Sequence, residues 1–199
     1  CFIVVCQNTS ASKLVYDWIA GVDVAQPDGT TRPKPGNLPL LTNVVEGEWL
    51  ARPRTILVDS AALESGEAMK ADFKKAVEGE IEAFKAELRL RPGGMEPDKV
   101  TDEDLLREVM NTVGKRGKLG EQVRCVVSVS MLTEGWDANT VSHILGIRAF
   151  GSQLLCEQVV GRGLRRRSYV PNDQDRFEPE YAEVYGVPFA FIGSDAPGG

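Results

Sequence analysis

Short apolar runs alternate along the chain with longer segments in which apolar residues recur every three or four positions. Such runs are typical of strands buried on both faces, because they lack the apolar–polar alternation of a half-exposed strand. The runs lie at 2–6, 55–58, 125–129 and 143–147. The amphipathic helices predicted from the intervening segments are 12–20, 67–89, 101–113 and 153–162. This alternation predicts an α/β fold, a mostly parallel sheet with helices on both faces.

Proline interrupts this pattern between about residues 21 and 54. The sequence there predicts an irregular insertion, with a short ordered piece around 38–49 and no readable function. We expect one domain over 1–193, followed by a tail or linker at 194–199. Because the chain begins inside an apparent strand, the sequence indicates a fragment of a longer protein.

The composition narrows the class of protein. The formal net charge of −6 argues against a protein covered with nucleic-acid-binding charge, although local basic clusters remain. No apolar run approaches the roughly 20 residues of a membrane span. The four cysteines form no C-x-x-C pair and no metal site is predicted, so they are expected to be buried thiols. Together with the missing signal peptide, they predict a cytoplasmic location.

Two segments carry residues suited to binding anions. On a helix, Gln158, Arg162 and Arg165 stand at i, i+4 and i+7 and share one face. Arginine forks match phosphate oxygens, so this face predicts an anion receptor. Asn8 and Thr9 lie between a strand and a helix, where exposed amides and the helix dipole favour an anion. Either residue could equally cap the helix, and the two roles are compatible.

These residues also carry a family resemblance. The segment 158–165, QVVGRGLR, resembles motif VI of superfamily two helicases, Q-x-x-G-R-x-x-R. The segment 133–137, TEGWD, resembles their motif V, and the turn around Asn8 resembles motif IV. The longer stretch TEGWDANTVSHILGIRAFGSQLLCEQVVGRGLRR, with YGVPFAFI following, is most similar to the Res subunit of type III restriction enzymes.

The resemblance implies a RecA-like (P-loop NTPase-type) helicase C-terminal domain, the second of two that enclose ATP. By that resemblance Arg165 is the arginine finger, and Arg162 contacts the γ-phosphate or closes the domains. Gln158 would orient these arginines or the attacking water. Arg166 and Arg167 fit the family pattern less definitely and are also compatible with plain surface charge.

The remaining roles implied by the resemblance fall on motifs IV and V. Asp137 would meet the ribose or a motif VI arginine, and Gly135 would let the backbone approach the nucleotide closely. Thr133, Asn8 and Thr9 would hold the phosphates of a nucleic-acid strand without reading its bases.

The chain has no Walker A loop and no acidic magnesium box after a buried strand. ATP and Mg²⁺ would therefore be bound mainly by the first RecA-like domain, and this chain alone is predicted to be inactive. The expected partners are DNA, the N-terminal RecA-like domain of the same parent chain and a modification (methyltransferase) subunit, with no membrane. The alternative is a non-catalytic nucleic-acid-binding or partner-docking module with a degenerate helicase fold.

Overall fold

The computed structural model describes residues 1–58, 71–90, 96–129, 138–147, 160–161, 163 and 165–186. The strands in these ranges are β1 Phe2–Cys6, β2 Gly21–Ala25, β3 Thr31–Pro35, β4 Val44–Val45, β5 Glu48–Trp49, β6 Thr55–Val58, β7 Cys125–Val129, β8 His143–Gly146 and β9 Glu183–Gly186. The α-helices are α1 Thr9–Ala20, α2 Ala71–Ala76, α3 Glu78–Leu90 and α4 Asp102–Asn111, with a 3₁₀ turn at Pro97–Lys99.

The central sheet has the strand order β6-β7-β1-β8-β9, and each neighbouring pair is parallel. Phe2 at the start of β1 lies opposite Cys125 on one side and His143 on the other. All the described strands of this sheet therefore begin at one edge and end at the other. Below, these are called the amino edge and the carboxyl edge of the sheet.

The inner strands of the sheet bury both of their faces, whereas the edge strand β9 is largely exposed. In β1, Ile3 and Val5 point into a core formed with α2, α4 and the start of α3, whereas Val4 and Cys6 point into a second core under α1. All four side chains are 0% exposed. Burial on both faces is what the continuous apolar runs indicate. The predicted α/β fold, with a parallel sheet and helices on both faces, is confirmed.

The long helix predicted at 67–89 is interrupted. Helices α2 and α3 meet at Val77, and residues before 71 lie outside the described part. The interruption coincides with a competitor for the helix hydrogen bonds: the Arg52 guanidinium donates to the Ala76 carbonyl through Nε at 3.0 Å and through its Nη2. The Nη1 of the same guanidinium forms an ion pair with Glu80 Oε1 at 2.8 Å. A side chain far away in sequence thus shares the Ala76 carbonyl at the break, while the bonds from Val77 to Phe73 and from Ile81 to Val77 continue across it.

The segment 21–54 is not irregular, contrary to prediction. It forms two antiparallel hairpins, β2–β3 and β4–β5. The order comes from polar contacts, since buried Asn43 donates to the Thr55 carbonyl at 2.7 Å and accepts from the Arg54 and Thr55 amides at 2.8 and 2.9 Å. Thr42, also buried, donates to the Ala20 carbonyl at 3.0 Å. Apolar periodicity does not report such contacts, so the prediction of an irregular segment was wrong, whereas the short ordered piece predicted around 38–49 contains β4 and β5.

Candidate functional sites at the two edges of the sheet

At the carboxyl edge, β1 passes directly into the N-terminus of α1. The Asn8 side chain accepts a hydrogen bond from the Ala11 amide at 2.8 Å, and its backbone is extended, so Asn8 is the helix cap. The prediction that Asn8 or Thr9 caps this helix is confirmed for Asn8. Both residues are exposed, and the first turn of α1 contains no acidic residue. The positive end of the helix dipole therefore stays open to an anion.

The connections between strands reverse direction at this edge. From β1 the chain leads towards β6 on one side of the sheet, whereas from β8 it leads to β9 on the other side. Open α/β sheets bind ligands outside the carboxyl ends of strands at such a reversal. Asn8 and Thr9 stand at the β1 side of this point. The neighbouring strand β7 ends at Val129, opposite Cys6, just before the segment that contains 133–137.

The arginine cluster lies at the opposite edge. Gly161 and Gly163 are helical, but Arg165 is already outside the helix. The shared helical face that the sequence predicted for Gln158, Arg162 and Arg165 therefore does not extend to Arg165. The predicted site residues that lie outside the described part are Gln158, Arg162, Thr133, Gly135 and Asp137.

Arg165 opens onto a cleft of about 90 Å³ at the amino edge, here called the arginine cleft. It is lined by Val141, Ser142, Gly163, Arg165, Arg166, Arg167, Glu180, Tyr181 and Ala182. The chain reaches this position through a close approach at Gly163. A Cβ there would lie 3.1 Å from Ile144 Cδ1 and 3.2 Å from Ala182 Cβ, so a side chain at this position would require these neighbours to shift slightly.

The Glu180 carboxylate fixes the backbone on one side of the arginine cleft. Glu180 accepts hydrogen bonds from the Arg167 amide at 2.7 Å and the Ser168 amide at 3.2 Å. These bonds, the Arg167 amide first, lower the pKa of Glu180 below the ordinary glutamate value. Glu180 is therefore an anion at neutral pH and fixes the backbone of the arginine segment.

The three arginines of the cleft differ in exposure, and Arg166 is less exposed than the other two. Arg166 donates to the Glu178 carbonyl at 2.7 Å and lies 4.7 Å from the centre of the Phe177 ring, so it has a structural role. Arg165 and Arg167 are both exposed. Ser142 also lines the cleft, but its hydroxyl is already hydrogen-bonded within the protein, to the Cys1 carbonyl at 3.3 Å and next to His143 Nδ1 at 2.9 Å.

The structure therefore brings Arg165, Arg166 and Arg167 together, but it does not bring them to Asn8 and Thr9. The edges are separated by the length of a strand, about 13 Å for four residue steps. Sequence reasoning missed Ser142, Glu180 and Tyr181 as members of the cleft. Their only signal is that they stand just before β8 and β9, a position that becomes informative once the strand order is known.

Comparisons with models of protein families, with curated proteins and with solved structures find no match for this chain. Among the described residues, no group of three or more His, Cys, Asp or Glu could hold a metal ion. In that same part of the chain, no helix is long and apolar enough to cross a membrane.

Proposed function

We propose that this chain is the C-terminal motor half of an ATP-dependent DNA translocase or helicase, of the type III restriction enzyme Res type. In this proposal the chain is the second RecA-like domain of its parent enzyme. It supplies arginines to an ATP site shared with the first domain, and it holds DNA phosphates at its other edge. The observation that carries the proposal is the arginine cleft, in which the residues resembling motif VI end against the amino edge of a parallel sheet.

The chemistry of the arginine cleft suits a transferring phosphoryl group. Such a group gathers negative charge in the transition state, and a pre-positioned guanidinium stabilises that charge at little reorganisation cost. Glu180 and Gly163 fix the segment before and after Arg165, so its guanidinium starts from a held backbone. In the proposed mechanism Arg165 is the arginine finger. Gln158 and Arg162, which lie outside the described residues, keep the roles that the resemblance implies.

The carboxyl edge supports the DNA half of the proposal. Helix α1 presents an uncharged N-terminus with Asn8 and Thr9 exposed, which can bind a phosphate without regard to base identity. The resemblance assigns Thr133 to the same contact and assigns Gly135 and Asp137 to the nucleotide. A strand of DNA and a nucleotide would therefore be held at different edges, with the sheet as the rigid element between them.

The proposed function implies ATP and Mg²⁺, and the described residues are suited to the phosphates of ATP but not to the metal. The phosphates of ATP fit the exposed arginines of the cleft. For Mg²⁺ the described residues offer no cluster of ligands. In the proposal the metal is held by the first RecA-like domain, where it would neutralise charge on the phosphates, and this chain contributes guanidinium groups only.

A second candidate function is a partner-docking module that has lost catalysis. Large apolar side chains are exposed in and around the segment that lines the arginine cleft: Tyr169 72%, Val170 75%, Phe177 49% and Tyr181 85%. Exposed aromatic residues near arginines are typical of protein–protein interfaces. In the first candidate function, the same surface faces the first RecA-like domain. A measurement of ATP hydrolysis distinguishes the two functions, since only the first requires it.

The test measures phosphate release with DNA and magnesium, first for this chain alone and then for the longer protein that joins it to a first RecA-like domain. We expect no turnover from the chain alone and DNA-stimulated turnover from the longer protein. Turnover by the chain alone that survives purification and ignores Arg165 would contradict the proposal. A longer protein that binds its partner but never hydrolyses ATP would favour the docking module.

A further inference from the structure

The hairpin β2–β3 is a two-stranded ribbon outside the central sheet. In its antiparallel register, Val22 lies opposite Lys34 and Val24 lies opposite Arg32. Directly opposed residues share one face, and the next pair along points the other way. One face of the ribbon, here called the open face, therefore carries Val22, Val24, Arg32 and Lys34.

The other face of the ribbon is occupied by the second hairpin. Trp49 donates from Nε1 to the Asp23 carboxylate at 2.9 Å. At the base of the ribbon, a Cβ on Gly21 would lie 2.9 Å from Val44 Cγ2, so the two hairpins are in close contact there. The Asp23 carboxylate is exposed, but it lies on the face opposite Arg32 and Lys34 and is hydrogen-bonded to the second hairpin. Both positive charges of β3 lie on the open face.

The cations of the open face are available to a partner. Arg32 and Lys34 are exposed, and neither forms an ion pair with any carboxylate that the structure describes. Two strand steps separate them, roughly 6.6 Å along the ribbon. Val24, 39% exposed, lies directly opposite Arg32 on the same face. The open face is therefore a short row of positive charge with no anion of its own.

We infer that the open face of the β2–β3 ribbon binds the phosphate backbone of double-stranded DNA. This inference rests on the proposed function, to which it adds a second DNA contact. A two-stranded ribbon is also an element that the major groove can accommodate. The ribbon begins where α1 ends, and α1 with its 12 residues is about 18 Å long. One turn of duplex, about 34 Å, is long enough to reach both Asn8 and the ribbon.

The tip of the ribbon indicates how it meets the duplex. Asp28 accepts hydrogen bonds from the Thr30 hydroxyl at 2.6 Å and the Thr30 amide at 2.9 Å. These bonds, the hydroxyl first, hold the pKa of Asp28 below its ordinary value, so the tip is anionic at neutral pH. An anionic tip is repelled by phosphates. The ribbon therefore lies with its broad face against the backbone and does not insert tip-first.

The experiment compares two double variants that remove the same charge. One is Arg32→Ala with Lys34→Ala on the open face. The control is Lys75→Ala with Arg89→Ala, exposed residues at α2 and α3 on the other side of the sheet. Binding of the purified chain to a labelled DNA duplex is titrated at several salt concentrations, and melting curves check that each variant is folded. A third variant, Arg32→Lys with Lys34→Arg, keeps the charges.

We expect the open-face variant to bind duplex on the order of tenfold more weakly at low salt, with a salt slope shallower by about 1.8 for two lost contacts. The charge-keeping variant should bind like wild type, and the control pair should change little. Equal losses in both double variants would overturn the inference, because they would show a net-charge effect only.

The outcome for Asn8 separates this inference from the proposed function. If Asn8→Asp weakens binding and the open-face variant does not, the ribbon inference is wrong and the DNA contact at the carboxyl edge stands. In that case an acidic protein surface becomes the expected partner of the open face. If the wild-type chain does not bind duplex at all, both the inference and the DNA part of the proposed function fail.

Discussion

The two edges of the central sheet offer phosphates different kinds of partner. At the carboxyl edge the partners are uncharged: the Asn8 amide and the free amides at the start of α1. At the amino edge they are guanidinium groups, with Glu180 fixing the chain that carries them. Amides position a phosphate without adding net charge, whereas guanidiniums add charge that matters most where negative charge develops. The carboxyl edge is therefore suited to holding a phosphate in position, and the amino edge is suited to stabilising the charge of a reacting phosphoryl group.

About 13 Å of buried strand separates these edges. We therefore expect a substitution at one edge to leave the properties of the other edge unchanged. The strands between them are buried on both faces, and a packed core transmits little motion without two discrete arrangements. The predictions below test this independence, in order of decreasing expected effect.

The largest effect is expected from Arg165→Ala in the parent enzyme that the proposal implies. Losing an arginine finger costs on the order of 10³- to 10⁵-fold in rate. Nucleotide and DNA affinity should change far less, because the finger acts on charge that appears during transfer. The measurements are kcat, the Kd for nucleotide and the Kd for DNA. Arg165→Lys should rescue poorly, since an ammonium group lacks the two-pronged fork.

Arg167→Ala is the matched control for this prediction, because Arg167 lines the same cleft and is also exposed. If Arg167→Ala lowers kcat as much as Arg165→Ala does, the finger is wrongly assigned. A parallel loss of DNA affinity in Arg165→Ala would show that the two edges are not independent.

The next largest effect is expected on the free energy of unfolding, from the buried Asn43 side chain that binds the start of β6 at the amino edge. Asn43→Ala removes one donor and one acceptor that serve the Thr55 carbonyl and the Arg54 and Thr55 amides at the start of β6. Leaving buried polar groups unpaired costs about 1–3 kcal/mol each, so we expect a loss of about 3 kcal/mol in the free energy of unfolding. Urea denaturation measures it.

Asn37→Ala is the control, because exposed Asn37 makes one side-chain bond, to the Trp18 carbonyl at 3.1 Å. It should cost less than about 1 kcal/mol. If both variants lose the same stability, the hairpins do not depend on the buried amide.

Asn43 also shows where sequence reasoning reaches its limit. Four strands of the central sheet, β1, β6, β7 and β8, were predictable because each is a largely apolar run, and β7 was predicted at its observed bounds, Cys125–Val129. The α4 cap was predictable too, since Thr101 and Asp104 form a reciprocal pair within one turn. Asn43 instead acts on residues 11 and 12 positions away, and no periodicity marks such a contact.

The candidate site divides in the same way. Asn8 was predictable as a cap because strand, turn and helix follow one another directly. The membership of Glu180 in the arginine cleft was not, because it depends on β9 lying beside β8. Arg165 was assigned to a helical face that ends before it, because spacing alone does not say where a helix stops.

A smaller effect is expected from Asn8, which serves both as cap and as proposed phosphate contact. Asn8→Ala should cost about 1 kcal/mol of stability through the lost cap. Asn8→Asp keeps a capping oxygen, so its stability should stay near that of wild type, while the added negative charge should weaken DNA binding. Thermal melting and a duplex titration separate the two roles. If Asn8→Asp binds duplex as wild type does, Asn8 is a cap only.

The smallest effect is a local response of the amino edge to acid. The amides of Arg167 and Ser168 lower the pKa of Glu180, so their bonds are intact above the ordinary glutamate value of about 4.3 and are lost as pH falls through the lowered value. Amide chemical shifts of Arg167 and Ser168 should report this titration. The Ala11 amide, which donates to the Asn8 cap, has no titrating partner and should stay unchanged. A midpoint at or above the ordinary glutamate value would show that Glu180 does not hold the segment. Coincident titration at Ala11 would instead mean that acid loosens both edges together, and their independence would be lost.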